Sequence, residues 1–366
     1  MSWSREDIRY MEMALKLAGE AKERTYPNPM VGAVLVKNGE VIGKGFHSRA
    51  GEAHAEIKAI EDCAEGCEGA TMYVTLEPCD HHGRTPPCSI AVLNSGIREV
   101  FVGMNDPNPL TSGKGLRRLR KAGLTVRAGL LAERSAELNR KYVKFITTGM
   151  PYLTVKLAQS IDGKIAARDG SSQWISSEAS RRMAKESRGR FDAIMVGANT
   201  VENDDPGLLD PRGNGYDTTR VVVDSSLRIS RDSRLFRTLS KAPLLIGTTE
   251  KAPEKRLAEY RAVPGVDIIR TRSRGGRVSL EPFLRKMASR GMVNVLVEGG
   301  GQLAGALFDQ GLVDEVMIFV SPCILGGPYS SIKGRGVPRI GDAVKLDGLT
   351  VDRSGADLLI SGKVRH

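Results

Sequence analysis

His54, Glu56, Cys79 and Cys88 are the residues of this chain whose types and spacing most directly specify a chemistry. One imidazole and two thiols suit a zinc ion (Zn2+), which takes nitrogen and thiolate ligands at tetrahedral angles. Three protein ligands leave a fourth position for water, as in a catalytic rather than a structural site. Glu56, two residues from His54, is placed to move protons between that water and a leaving group. The expected reaction is a hydrolysis.

The pattern His-x-Glu followed by Pro-Cys is shared with zinc-dependent nucleobase deaminases, whose usual form is Pro-Cys-x-x-Cys. Here eight residues, Asp80 to Pro87, separate Cys79 from Cys88. The adjacent His81 and His82 are not expected as further ligands, because neighbouring side chains cannot easily both face one ion. Cys63 and Cys67, four apart on an expected helix, invite a second metal. No His or Cys nearby completes a set of four, so a core role is the better reading. Cys323 reads as a buried apolar residue.

A second constellation lies late in the chain. Val293–Gly305 runs strand, glycine loop, helix, and such glycines let a phosphate approach backbone N–H groups at the positive end of a helix. A tight strand-to-helix turn is the plain alternative. Asp162–Ala166, Ser171–Ile175 with Trp174, and Asn199–Val201 leading to Asp204-Asp205-Pro206 also look patterned. A ligand wall and an ordinary core or turn role both remain open for them.

These residues need elements to hold them. Residues 30–36 and 40–46 predict a hairpin around Asn38-Gly39. A helix carrying His54 and Glu56, a strand over 71–76, and a helix beginning near Cys88 follow, with Cys79 in the loop between. A strand at 99–103, a helix at 115–122, a strand at 124–128 and one long helix from about Glu133 complete an α/β half. Thr147–Pro151 breaks that helix, and a boundary between 148 and 149 is expected. Seven strands then alternate mostly with helical stretches, predicting a largely parallel sheet. Residues 349–365 predict an antiparallel hairpin on its edge.

The 366 residues favour two domains, each able to bury a core. No apolar run approaches the roughly 20 residues of a membrane helix, and the N-terminus reads as a helix capped by Ser4, not a secretory signal. Five cysteines without an export signal predict a reducing, cytoplasmic compartment and no disulfide framework. The net charge of +11 permits an anionic partner but does not separate phosphorylated small molecules from nucleic acid.

Together the motifs resemble the bifunctional deaminase–reductases of riboflavin biosynthesis, over essentially the whole chain. The matching stretches are Thr25–Gly32, His54–Glu56, Thr75–Cys88 with its long inter-cysteine loop, Ser160–Lys164, Ser172–Ile175, Asp204–Pro206 and Glu298–Gly300. The resemblance implies an α/β fold: a cytidine-deaminase-like three-layer α/β/α domain at 1–148, then a dihydrofolate-reductase-like α/β domain at 149–366 using NADPH. It implies removal of an amino group from a phosphoribosylaminopyrimidine, then reduction of the opened ribose to a ribityl chain. His54, Cys79 and Cys88 would hold zinc, Glu56 would shuttle protons, Asn28 and His47 would line the base and ribose pocket, and Arg84 or Lys114 would hold the substrate phosphate. Ala158, Trp174, Thr200, Asp204, Ser225 and the run Gly300, Gly301, Gln302, Leu303, Ala304, Gly305 and Ala306 would touch NADPH. Ser172, Arg188, Leu208, Arg212 and Glu298 would hold substrate, with Arg212 displaced by an unusual Leu-Asp-Pro-Arg spacing. The family also implies self-association, a phosphorylated pyrimidine as partner, and neither nucleic acid nor membrane.

A tRNA base deaminase with an RNA-binding second half shares the zinc chemistry. The long inter-cysteine loop and a 5% aromatic content speak against it, since stacking on single-stranded bases needs aromatic side chains. A zinc-stabilised scaffold is disfavoured by the three-ligand set with its neighbouring Glu56.

Overall fold

The computed structural model describes residues 2–23, 25–81, 86–211 and 218–365. The chain divides into two compact units, Met1–Met150 and Pro151–His366.

In the first unit, α1 (Arg5–Gly19) starts at a capping box: the Ser4 hydroxyl accepts the Asp7 N–H, and the Asp7 carboxylate accepts the Ser4 N–H, both at 3.0 Å. The hairpin of β1 (Gly32–Lys37) and β2 (Glu40–Phe46) turns at Asn38 and Gly39, both at positive φ as a two-residue turn of this hand requires. Then come α2 (Ala55–Glu61), β3 (Thr71–Leu76), α3 (Cys88–Asn94), β4 (Glu99–Met104), α4 (Lys114–Lys121), β5 (Thr125–Ala128), α5 (Ala132–Leu138) and α6 (Arg140–Thr148).

The strand order is β2-β1-β3-β4-β5, antiparallel through the first three and parallel through the last three. Side chains alternate between the two faces. Ala33, Leu35, Met72, Val74, Val100 and Val102 pack with α2, α3 and α4, while Val34, Val36, Tyr73 and Phe101 pack against α1. Three layers result.

Two expectations fail here. The single long helix from Glu133 is broken at Asn139, whose side chain accepts the Met30 N–H at 2.8 Å and donates to the Met30 carbonyl at 2.9 Å. That clamp ties the chain to the segment entering β1, and the helix axis yields to it. Cys63 and Cys67 lie beyond the end of α2 rather than on it, buried in the core as the bland reading held.

The second unit is built from β6 (Tyr152–Ser160), α7 (Glu178–Ser187), β7 (Ala193–Gly197), α8 (Ala198–Asp204), β8 (Thr219–Val223), α9 (Arg234–Arg237), β9 (Leu244–Thr249), α10 (Glu254–Arg261) and β10 (Val266–Thr271). It continues with β11 (Ser273–Arg274), β12 (Arg277–Val278), α11 (Leu280–Ala288), β13 (Asn294–Glu298), α12 (Gly301–Phe308), β14 (Glu315–Ser321), β15 (Leu346–Ser354) and β16 (Asp357–Val364). Nine strands form one sheet in the order β10-β9-β8-β7-β13-β6-β14-β16-β15. The run from β10 to β14 is parallel, and the terminal hairpin joins antiparallel at the edge. A β-branched core (Ile194, Val196, Val222, Ile246, Ile268) lines one face, as strands covered on both sides demand. Cys323 is half-buried, not the core residue expected, because it sits in the loop after β14. No helix among the described residues is long and apolar enough to cross a membrane.

Candidate active sites

The first site is assembled at the ends of three consecutive elements. His54 is the residue preceding α2, Cys79 lies in the loop after β3, and Cys88 opens α3. The His54 Nδ1 lies 3.1 Å from the Cys88 Sγ and 3.6 Å from the Cys79 Sγ. Their three donor atoms fall within 4.8 Å of one another, the one group of this kind among the described residues. One nitrogen and two sulfurs at this spacing fit a zinc ion. The hydrogen bond from Cys88 brings the Cys79 thiol down to about 4, with His54 adding to the effect, and the same bond and burial push the Cys88 thiol up.

Glu56 sits in the first turn of α2, 3% exposed. Burial, helped by the charge of Cys79, pushes its carboxyl up to about 7. A group of that kind can both take and release a proton near neutral pH. His47 is buried and its pKa is lowered by burial, so the ring is neutral. Its Nδ1 faces the Ala53 carbonyl at 3.2 Å and carries the proton, which leaves Nε2 to accept from the Asn28 amide at 3.1 Å. The Asn28 carbonyl oxygen is thereby left for another donor, and His47 stands edge-on to His54 with ring centroids 5.1 Å apart.

Reading the motif alone misses Glu77. Its buried carboxylate accepts backbone N–H groups from Asp106 (3.1 Å), Gly113 (2.9 Å), Gly115 (3.1 Å) and Leu116 (3.4 Å). The residue before α4 is Gly113, which has no side chain to cap the helix, and Glu77 supplies the missing acceptor from across the fold. Gly115 allows the approach, since a Cβ there would run into the Pro78 carbonyl. Asp80 adds a second tie, accepting from the Ser89 hydroxyl at 2.6 Å and pairing with Arg118. The signal was present as an acidic residue directly before Pro-Cys. Of the two phosphate candidates, Lys114 is exposed at the start of α4; Arg84 and His82 lie outside the described residues.

The second site is spread along the carboxyl edge of four adjacent strands, β8, β7, β13 and β6, where ligands of open parallel sheets bind. Ser225 follows β8, Thr200 lies on α8 directly after β7, Gly299 and Gly300 follow β13, and Ala158 is near the end of β6. A Cβ on Gly197 would meet only open space, and one on Gly300 would lie 3.9 Å from the Thr200 hydroxyl. The start of α12 is therefore uncrowded in front of Gly197 and Gly300, where a phosphate can approach backbone N–H groups.

The rest of the glycine run does another job. Gly301, Leu303, Ala304 and Gly305 are buried. A Cβ on Gly301 would strike Ser330, and one on Gly305 would strike Lys333, so both glycines seat a returning segment of backbone. The Lys333 N–H donates to the Gly301 carbonyl at 2.8 Å and fixes that segment. Within the expected contact run from Gly300 to Ala306, Leu303, Ala304 and Gly305 are buried, Ala306 is half-buried, and Gln302 is exposed. Leu208, an expected substrate contact, has its side chain 3% exposed and packed in the core with Leu227 and Leu235.

Arg188 and Glu298 come together as a bidentate pair, with Nε to Oε1 at 2.7 Å and Nη2 to Oε2 at 3.0 Å. Arg188 also donates to the Leu209 carbonyl at 3.2 Å. The Ser172 hydroxyl reaches Asp204 at 3.5 Å, and burial raises the Asp204 carboxyl. Trp174 is 67% exposed with Arg181 over its ring at 4.5 Å, which suits a wall rather than a core. Arg212 lies outside the described residues.

Lys156 was not singled out from sequence. On β6 it shares a face with Ala158 and is paired in register with Glu298 on β13, its Nζ 4.0 Å from that carboxylate. Burial lowers its pKa while Glu298 opposes the shift. The available signal was a lone lysine inside an apolar strand.

Residues 4–104 match the family model of the cytidine and deoxycytidylate deaminase zinc-binding region, and residues 151–360 match that of the RibD C-terminal domain. The riboflavin biosynthesis protein RibD of Actinobacillus pleuropneumoniae is 40% identical over 97% of this chain and 94% of its own length. The protein of that name from Aquifex aeolicus is also 40% identical, over 97% of both chains. Among solved structures, Acinetobacter baumannii RibD has a TM-score of 0.86 at 31% identity, covering 99% of each chain. A diaminohydroxyphosphoribosylaminopyrimidine deaminase/5-amino-6-(5-phosphoribosylamino)uracil reductase of Thermotoga maritima scores 0.84 at 34% identity, over 98% of this chain and 99% of its own. The second unit thus matches a reductase domain, which removes the ground for the tRNA-deaminase alternative. The first unit is a cytidine-deaminase-like domain, and the chain belongs to the RibD family of bifunctional deaminase–reductases of riboflavin biosynthesis.

Proposed function

We propose that the first unit hydrolytically deaminates diaminohydroxyphosphoribosylaminopyrimidine, and that the second reduces the resulting 5-amino-6-(5-phosphoribosylamino)uracil with NADPH. The deaminase and the uracil reductase are the two activities named for the Thermotoga maritima relative. The observation that carries the reading is the His54, Cys79 and Cys88 cluster with buried Glu56 beside it.

In the deaminase, His54, Cys79 and Cys88 hold zinc, which supplies Lewis-acid activation of water at neutral pH. Glu56 accepts the proton of the attacking water and returns one to the departing amine, a dual task that suits its raised pKa. The Asn28 carbonyl, fixed by His47, orients the pyrimidine edge. Lys114 is the described candidate for the substrate phosphate.

In the reductase, Ala158, Trp174, Thr200, Asp204, Ser225, Gly300 and Gln302 bind the dinucleotide, which supplies the hydride. Ser172, Arg188 and Glu298 hold the phosphoribosyl chain. Arg188 and Glu298 lock one another, so the substrate meets a preformed surface. Lys156 is the group positioned to give a proton to the opening ribose oxygen, because its ammonium lies beside Glu298 on the face shared with Ala158. The test is metal analysis joined to two assays: ammonia release from the diaminopyrimidine without NADPH, then NADPH oxidation on the product. Absence of stoichiometric zinc, or ammonia release only when NADPH is present, contradicts the reading.

A further inference from the structure

The chain 270–277 (Arg-Thr-Arg-Ser-Arg-Gly-Gly-Arg) carries four arginines in eight residues at one corner of the second unit. It forms the small hairpin of β11 and β12, closed by Gly275 and Gly276 at φ +58° and +77°. Two positive φ values in a two-residue loop fix a tight turn, and the register sets Arg274 directly opposite Arg277. Like charges facing each other across an antiparallel pair are unfavourable unless something neutralises them.

Neighbouring arginines have such partners. Arg270 pairs with Glu254 at 2.9 Å, Arg285 with Glu281 at 3.0 Å and Arg290 with Asp267 at 2.7 Å. Arg274 and Arg277 are exposed and have no carboxylate partner among the described residues. The hairpin is not adrift in solvent. The Val278 N–H, one residue after Arg277, donates to the Ser225 hydroxyl at 3.1 Å, and the Thr249 hydroxyl donates to the Ser225 carbonyl at 2.9 Å. Ser225 ends the row of cofactor positions along the carboxyl edge of the sheet, at the far side from Ala158.

We infer that Arg274 and Arg277 form the recognition site for the 2′-phosphate of the dinucleotide and set the preference for NADPH over NADH. The inference rests on the NADPH reading of the second unit. A phosphate dianion is what two facing, unpaired guanidinium groups accommodate, each offering paired N–H donors. NADH has a hydroxyl there and leaves the two cations uncompensated.

The test uses the full-length protein and calorimetric dissociation constants for NADP+, NAD+ and adenosine 2′,5′-bisphosphate. Arg274→Ala/Arg277→Ala is expected to weaken NADP+ and the bisphosphate by on the order of tenfold or more, with NAD+ changed less than about twofold. Arg274→Lys/Arg277→Lys keeps the charge on the same turn and is expected to retain most of the selectivity. Unchanged NADP+ affinity in the alanine variant, or equal weakening of NADP+ and NAD+, overturns the arginine assignment while leaving the cofactor reading intact. Failure of the unsubstituted protein to bind NADP+ overturns both.

Discussion

The two sites distribute their parts along the chain in opposite ways. The zinc-type site draws its ligands and proton carrier from residues 54–88, at the ends of three consecutive elements whose donor atoms fall within 4.8 Å. The proposed reductase site draws on positions from Lys156 to Gln302, brought side by side only because β8, β7, β13 and β6 are neighbours in the sheet. A metal site needs short, fixed distances between few atoms, so a local motif can encode it. A dinucleotide is long, and its contacts must be spread over an edge that only the topology assembles.

That contrast predicts how each site fails. The largest effect is expected from Cys88→Ser: a hydroxyl is a poor zinc ligand, so bound metal by elemental analysis and ammonia release should both be lost. NADPH oxidation on the deaminated intermediate should persist. Lys156→Met should cost the reductase on the order of a hundredfold in kcat. On the proposed role the protonated lysine is the active form, so reductase activity should fall as pH rises through its pKa. Burial sets that limb below the usual lysine range of about 10.4. A pH–rate profile whose basic limb is untouched by Lys156→Met would count against the assignment.

Glu77→Gln should sharpen the comparison from the deaminase side. The amide cannot accept all four backbone N–H groups, so the Cys79 loop loosens, and zinc affinity in chelator competition should drop about 10–100-fold. Deaminase activity should recover with excess zinc, which a plain folding defect would not allow. The smallest effect is expected from Gly305→Ala, where the new methyl meets the Lys333 backbone. Stability of the second unit should fall by about 1–3 kcal/mol in denaturant titration, with zinc content unchanged.

Much of this was legible in the residues. The Asn38-Gly39 hairpin, the strand-by-strand alternation and the zinc ligands each carry a local physical signal, and each has a counterpart in the structure. Hidden from sequence were the features made by partners far along the chain. Asn139 breaks a helix because Met30 meets it, Glu77 gains its role from Gly113 and Gly115, and Lys156 is defined by Glu298. The glycine run was the most instructive case. A Cβ on either of its first two glycines would make only ordinary contacts, whereas Gly301 and Gly305 are small because backbone from residues 330–334 lies on them. One composition served two purposes, and no periodicity separates them.

The most direct test of two separate active sites in one chain is the Glu56→Gln variant, assayed on both substrates. Zinc should stay bound, ammonia release from the diaminopyrimidine should fall at least about a hundredfold, and NADPH oxidation on the deaminated intermediate should run at the unsubstituted rate. Retained ammonia release, or NADPH oxidation lost along with it, would contradict the account.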